Sequence, residues 1–232
     1  MTDLRIVDFV AGAREARGLV VVIDVFRAFS LAAHAMARGA MAILPVAEVA
    51  TALELKSRYP DAILLGERFA KPLQGFDGGN SPADLEHFDV RGRTIIHTTH
   101  AGTQGLTNAI NADEIITGAL VNAAAIVAYI QQKNPATVTL VRMGQHAAER
   151  CVEDDACAEL IERRFNGETP DVDAMRERLR QAPSAKKFFD PDCDWAPERD
   201  FALCTQFDVF DFVLRLDRSQ QPHSLVKLPV KF

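Results

Sequence analysis

Several polar clusters in this chain have the residue types and spacing to handle a phosphate-like anion. Asp24, Arg27 and Ser30 form the first. A glycine-rich stretch from Gly66 to Pro82 holds Glu67, Arg68, Lys71, Asp77, Asn80 and Ser81. Thr98 and Thr99 with Gly102 and Thr103 form a third, the run from Gly118 to Asn122 a fourth, and Glu153 with Asp154 adds two more carboxylates. Carboxylates are hard oxygen donors that can hold a metal ion. Guanidinium groups make bidentate contacts with anionic oxygens that an ammonium group does not match. Hydroxyls and an amide supply neutral hydrogen bonds, and glycines let main-chain N–H groups approach an anion closely. A site of this kind suits an anionic ligand, which in a chain of net negative charge must meet a local cluster of cations or a metal.

These clusters need a scaffold that brings them together. Leu19 to Ile23 is a continuous β-branched apolar run that ends in Asp24, the pattern of a central parallel strand covered on both faces. Further strands are expected at Met41–Val46, Ala62–Leu65, Arg93–His97, Glu114–Gly118 and Thr137–Val141, with helices over Ala28–Arg38, Glu48–Arg58, to about Ile110, Asn122–Gln132 and Cys151–Phe165. The alternation predicts an α/β fold, a mainly parallel sheet with helices on both faces, in one compact domain over residues 1–232. Residues 167–232 are expected as a C-terminal α+β extension packed on the body. Within it lie a polar helix over about 167–185, an irregular aromatic stretch over 188–197, and a final run over 207–216 of mixed helix and strand character. The polar clusters fall at predicted strand ends, where ligands bind in open α/β sheets.

Each residue also has a plain structural role available. Asp24 and Asn122 can cap helices, Arg27 can pair with an acidic neighbour, and Glu153 and Asp154 can complement a helix dipole. His97 and His100 are read as structural, and Cys151 and Cys157 as packed thiols. The formal net charge of -6 argues against a nonspecific nucleic-acid or membrane-surface binder. The four cysteines have no CxxC spacing, no segment has a transmembrane length of apolar residues, and the start of the chain lacks a leader pattern, so a reduced, cytoplasmic protein is expected.

Taken together, Ile23-Asp24-Val25-Phe26-Arg27-Ala28, Gly66-Glu67-Arg68, Gly75-Phe76-Asp77 with Gly79-Asn80-Ser81-Pro82, Thr98-Thr99 with Gly102-Thr103, Gly118 with Asn122, and Glu153-Asp154 resemble the 2-phosphosulfolactate phosphatases, magnesium-dependent enzymes of coenzyme M biosynthesis, and their bacterial relatives. The chain departs from that pattern at Gln74, Gly78, His100 and Ala101. The resemblance implies a Mg2+-dependent hydrolase of a small anionic phosphate ester; a homodimer is the assembly expected. Under it, Asp24 and Glu67 are expected to be catalytic and Asp24, Asp77, Glu153 and Asp154 to hold the metal. Arg27, Arg68, Asn80, Ser81, Thr98, Thr99, Gly102, Thr103 and Asn122 are expected to bind substrate. Aspartyl-phosphate phosphatases need a second Asp where Phe26 stands. Cysteine hydrolases of the isochorismatase type need a lysine after the fourth strand, which is missing here, although Cys151 is available. An anion-binding homologue without turnover is the remaining alternative.

Overall fold

The computed structural model describes residues 2–232. Its chain order begins with β1 (Asp3–Asp8), α1 (Phe9–Glu15), β2 (Gly18–Ile23), α2 (Ala28–Ala37), β3 (Ala42–Pro45) and α3 (Val49–Arg58). It continues with β4 (Ile63–Arg68), β5 (Lys71–Pro72), β6 (Thr94–Thr98), α4 (Gly102–Asn108), β7 (Ala112–Gly118), α5 (Ala123–Lys133) and β8 (Thr137–Arg142). The last part comprises α6 (Val152–Phe165), α7 (Val172–Arg180), α8 (Glu198–Cys204), β9 (Phe212–Asp217) and β10 (Ser224–Pro229).

Alternation along β2 explains the layering, because successive side chains of a strand point to opposite faces. Val20 and Val22 enter a core shared with α1, α2 and α4, whereas Leu19, Val21 and Ile23 enter a second core under α5, α6, α7 and α8. The expected α/β architecture with helices on both faces is therefore present. A smaller cluster, Ala52 and Leu55 against Leu44, Leu64 and Ile96, seats α3.

The sheet order is β1-β8-β2-β7-β9-β10-β3-β6-β4-β5. Parallel pairing joins β1, β8, β2 and β7 into one block and β3, β6 and β4 into another. Between the blocks lies the antiparallel β9–β10 hairpin, which meets β7 through Ile116 and Arg215 and β3 through Leu225 and Ile43. Residues 212–229, expected in an extension packed on the body, thus run through the middle of the sheet. Their position follows from side chains at both faces: Val213 joins one core and Leu214, Leu216 and Leu225 the other. The antiparallel steps give the two blocks opposite sense. Residues at the carboxyl ends of both blocks nevertheless meet around one cavity. The polar helix expected over about 167–185 is divided. Asp171 caps α7 by accepting from the N–H groups of Asp173 and Ala174, and a separate 3-10 turn, Pro183–Phe188, begins at the proline. The strand β1 and helix α1 add to the expected elements; Asp3, Arg5 and Asp8 interrupt the apolar pattern of this edge strand.

Candidate active site

A cavity of about 390 Å3 opens where the carboxyl ends of β2, β4, β6 and β8 approach one another. Asp24, Glu67, Glu153 and Asp154 all line it, so four of the expected carboxylates are brought together. Each is buried. Three are held by pairs of main-chain N–H groups from strand-end loops. Asp24 accepts from Gly102 at 2.7 Å and Ala28 at 3.3 Å. Glu67 accepts from His100 at 2.6 Å and Ala70 at 2.7 Å. Asp154 accepts from Val25 at 2.9 Å and Gly144 at 2.8 Å. Glu153 differs, taking a hydroxyl bond from Ser184 at 2.5 Å.

Two glycines are required by this arrangement. A Cβ on Gly102 would stand 2.8 Å from Asp24 Oδ2 and 3.0 Å from Phe29. Gly144, at φ 65°, would place a Cβ 2.2 Å from the Glu149 carbonyl oxygen.

Hydrogen bonds from N–H groups favour the ionised carboxylate, while burial and like charge oppose it. At Asp24 the opposing effects win. Burial first, then the charges of Glu67 and Glu153, push its carboxyl up to about 7. Burial and the charges of Asp24 and Glu153 likewise raise Asp154 well above the usual carboxylate range. The carboxyls thus resist being ionised together, and a bound cation would relieve that resistance.

Of the expected binding residues, Arg27 and Asn80 line the cavity. Arg27 is buried and pairs with Asp200 at 2.5 Å, and it also donates to Trp195 O at 2.9 Å and Ala70 O at 3.2 Å. Asp200 in turn accepts from the Ser81 hydroxyl and the Ala83 N–H, so Ser81 acts one step away from the cavity. Burial pushes His97 down to about 4. It is therefore neutral near pH 7, and its Nε2 lies 3.0 Å from Asn80 Oδ1. An amide oxygen only accepts, so Nε2 carries the hydrogen, and the amide NH2 of Asn80 is left to donate elsewhere. His97 has the structural role expected of it.

Thr99 and Thr103 hold one another, with the Thr99 N–H donating to Thr103 Oγ1 at 3.0 Å and the Thr103 N–H to Thr99 Oγ1 at 3.2 Å. They shape the turn that delivers Gly102. Thr98, Thr99 and Thr103 are buried and are not among the lining residues. Asn122 is buried under β9, donating to Phe212 O at 3.1 Å, and also stands off the cavity.

Arg68 and Asp77 are not brought to the cavity. Consecutive residues of a strand face opposite ways, so with Glu67 turned inward Arg68 turns outward, donating to Glu67 O, Ala47 O and Thr98 Oγ1. Asp77 lies beside the interior of β4, accepting from the Leu64 N–H at 2.8 Å and from Lys56 at 3.0 Å. The backbone bond and Lys56 together hold its carboxyl below the usual range against a desolvation effect of opposite sign. It belongs to a fold contact, apart from the other carboxylates.

Sequence reasoning missed the lining contributed by Ser184, Lys187 and Trp195, along with Phe69, His100 and His146. Phe69, His100 and His146 pack ring to ring, with centroids 4.7–5.2 Å apart. The departure of His100 from the family pattern was a usable signal. For Lys187 there was none beyond its closeness to the aromatic stretch. Cys151 also lines the cavity, but burial and the charges of Asp154 and Glu153 push its thiol up strongly, the opposite of an activated nucleophile.

Among the described residues no three His, Cys, Asp or Glu side chains form a ready-made metal cage. No helix among them is long and apolar enough to cross a membrane. Comparison with known proteins agrees with the motif pattern. The family model for 2-phosphosulpholactate phosphatase matches residues 6–219. A probable 2-phosphosulfolactate phosphatase of Bacillus subtilis is 32% identical over 201 residues, covering 84% of this chain and 86% of that protein. One from Thermotoga petrophila is 31% identical over 203 residues, covering 83% and 86%. A third, from Caldanaerobacter subterraneus, is 43% identical over 121 residues, and that match spans about half of each protein, 51% of this chain and 50% of the relative. With nearly its whole length matched by that model, the chain belongs to the 2-phosphosulpholactate phosphatase family.

Proposed function

We propose that this protein is a cytoplasmic, Mg2+-dependent phosphatase that hydrolyses the phosphate monoester of a small anionic hydroxy acid of the 2-phosphosulfolactate type. The observation that carries the reading is the convergence of Asp24, Glu67, Glu153 and Asp154 with Arg27 and Asn80 in one cavity. The donor chemistry fits Mg2+. Four buried carboxylates in mutual repulsion provide hard oxygen ligands, and Mg2+ keeps several waters and needs only one or two direct carboxylates, which is compatible with the lack of a full protein cage. Asp24, Glu153 and Asp154 would hold the ion. When bound, it would neutralise charge on the phosphoryl oxygens.

The chain's own groups account for the remaining work. Arg27, locked by Asp200, offers a fixed positive charge, and the Asn80 amide offers N–H donors in an orientation set by His97. Glu67, outside the proposed metal set, orients a water and takes its proton as the water oxygen bonds to phosphorus and the ester P–O bond breaks. The departing alkoxide recovers a proton from solvent. The preset N–H bonds on the carboxylates lower the cost of reorganisation during reaction.

The test is phosphate release from a panel of phosphorylated hydroxy acids, with Mg2+ and with chelator. Turnover that stops with chelator and survives Cys151→Ser supports the reading. Chelator-resistant turnover lost in Cys151→Ser would replace it with a cysteine hydrolase, and ligand binding without release would replace it with an anion-binding protein.

A further inference from the structure

The two cations that line the cavity are in unlike situations. Arg27 is committed to Asp200, Trp195 and Ala70. Lys187, at the end of the 3-10 turn Pro183–Phe188, forms no hydrogen bond or ion pair among the described residues, and its Nζ lies only over the Phe188 ring, 5.1 Å from the centroid. Lys187 is half-buried and lines the cavity with no partner for its ammonium, so its three N–H donors are open to a ligand. The turn that carries it is fixed tightly. Ala185 and Phe188 are fully buried, Phe188 packs edge-on against Phe26 at 5.1 Å, and Ser184 is bonded to Glu153. Burial, and then repulsion from Arg27, hold the Lys187 ammonium below its ordinary range, while the charges of Glu153 and Asp24 act the other way.

We propose that Lys187 is a further substrate-binding residue, the unpaired cation that meets an anionic oxygen of the phosphoryl group, delivered to the cavity by the C-terminal part of the chain and not by a strand tip. This rests on the phosphatase reading for its substrate, but its ligand chemistry is that of a phosphate oxygen and can be measured with inorganic phosphate alone. Lysine serves here as a compact point charge with three donors, able to follow an oxygen that moves as the ester opens.

The test compares wild type, Lys187→Gln and Lys187→Arg. Inorganic phosphate binding is measured by calorimetry in Mg2+, and steady-state kinetics are measured on the best ester of the panel. Lys187→Gln is expected to weaken phosphate binding and raise KM by about tenfold or more, with a smaller change in kcat and an unchanged melting temperature; Lys187→Arg is expected to recover most of the loss. Wild-type phosphate affinity and KM in Lys187→Gln would overturn the assignment while leaving the phosphatase reading intact. Lys187-dependent phosphate binding in a protein that releases phosphate from no ester would keep the assignment and overturn the phosphatase reading. Absence of phosphate binding in the wild type would overturn the assignment too.

Discussion

On one wall of the cavity Asp24, Glu67 and Asp154 are each held by two main-chain N–H groups from strand-end loops, whereas on the other Arg27, Ser184, Lys187 and Trp195 depend on side chains brought from far along the chain. The first wall is a consequence of parallel strands ending together, and any sequence with this sheet would place loops there. The second depends on the Arg27–Asp200 pair, spanning 173 residues, and on the packing of Phe26, Phe188, Phe189 and Phe201. Backbone-held carboxylates are therefore rigid and tolerant of change elsewhere. The opposite wall is only as firm as the tail that supplies it.

This difference can be broken most severely at Asp200. Removing its carboxylate in Asp200→Ala leaves Arg27 buried without its partner and frees the Ser81 hydroxyl and the Ala83 N–H. The expected cost is about 3–5 kcal/mol, a fall of roughly 6–20 °C in melting temperature for a chain of this size. A loss under 1 kcal/mol by denaturant titration would show that the tail wall does not lean on this pair.

His97 gives a pH test of the strand-tip wall. Its folded value of about 4 lies below the ordinary 6.5, so as pH falls the unfolded chain takes up a proton first. Its contribution is fully present above about pH 6.5 and is lost between 6.5 and 4, amounting to roughly 3 kcal/mol. Denaturant titrations from pH 7.5 to 4.5 are expected to show a steeper loss in wild type than in His97→Gln. Parallel curves would contradict the neutral, Asn80-bonded histidine.

A finer cut is Gly102→Ala, in which the added methyl must displace the Asp24 carboxylate or Phe29. Turnover is expected to fall about 10–100-fold, as misplacement by a fraction of an ångström to 1 Å does at such sites, with KM changed less. Smallest of all is Asp77→Asn. Its pair with Lys56 is partly exposed, so stability should change by no more than about 1 kcal/mol, and turnover should stay within about twofold. A total loss of activity would return Asp77 to the site.

The same comparison explains what was legible in the sequence. An apolar run ending in Asp24, and a strand followed by Gly66-Glu67, locate the first wall because strand tips and burial are local patterns. Arg68 and Asp77 share that loop in sequence yet are excluded by geometry: one by the twofold alternation of β4, the other because its segment returns beside Leu64. On the sequence alone Glu153 and Asp154 suit a first helical turn as well as a metal, and it is the β8 loop, reaching Asp154 through the Gly144 N–H, that ties the pair to the strand tips. The central place of β9 and β10 and the arrival of Lys187 in the cavity depend on long-range packing, for which charge and periodicity carry no signal.

The most direct measurement is release of inorganic phosphate from a panel of phosphorylated hydroxy acids in Mg2+ by wild type and by Asp24→Asn, with folding checked by circular dichroism. Turnover of at least one ester by wild type is expected, with a loss of about 10^3-fold or more in the folded variant. Equal turnover by the two proteins, or none by wild type on any ester, would contradict it.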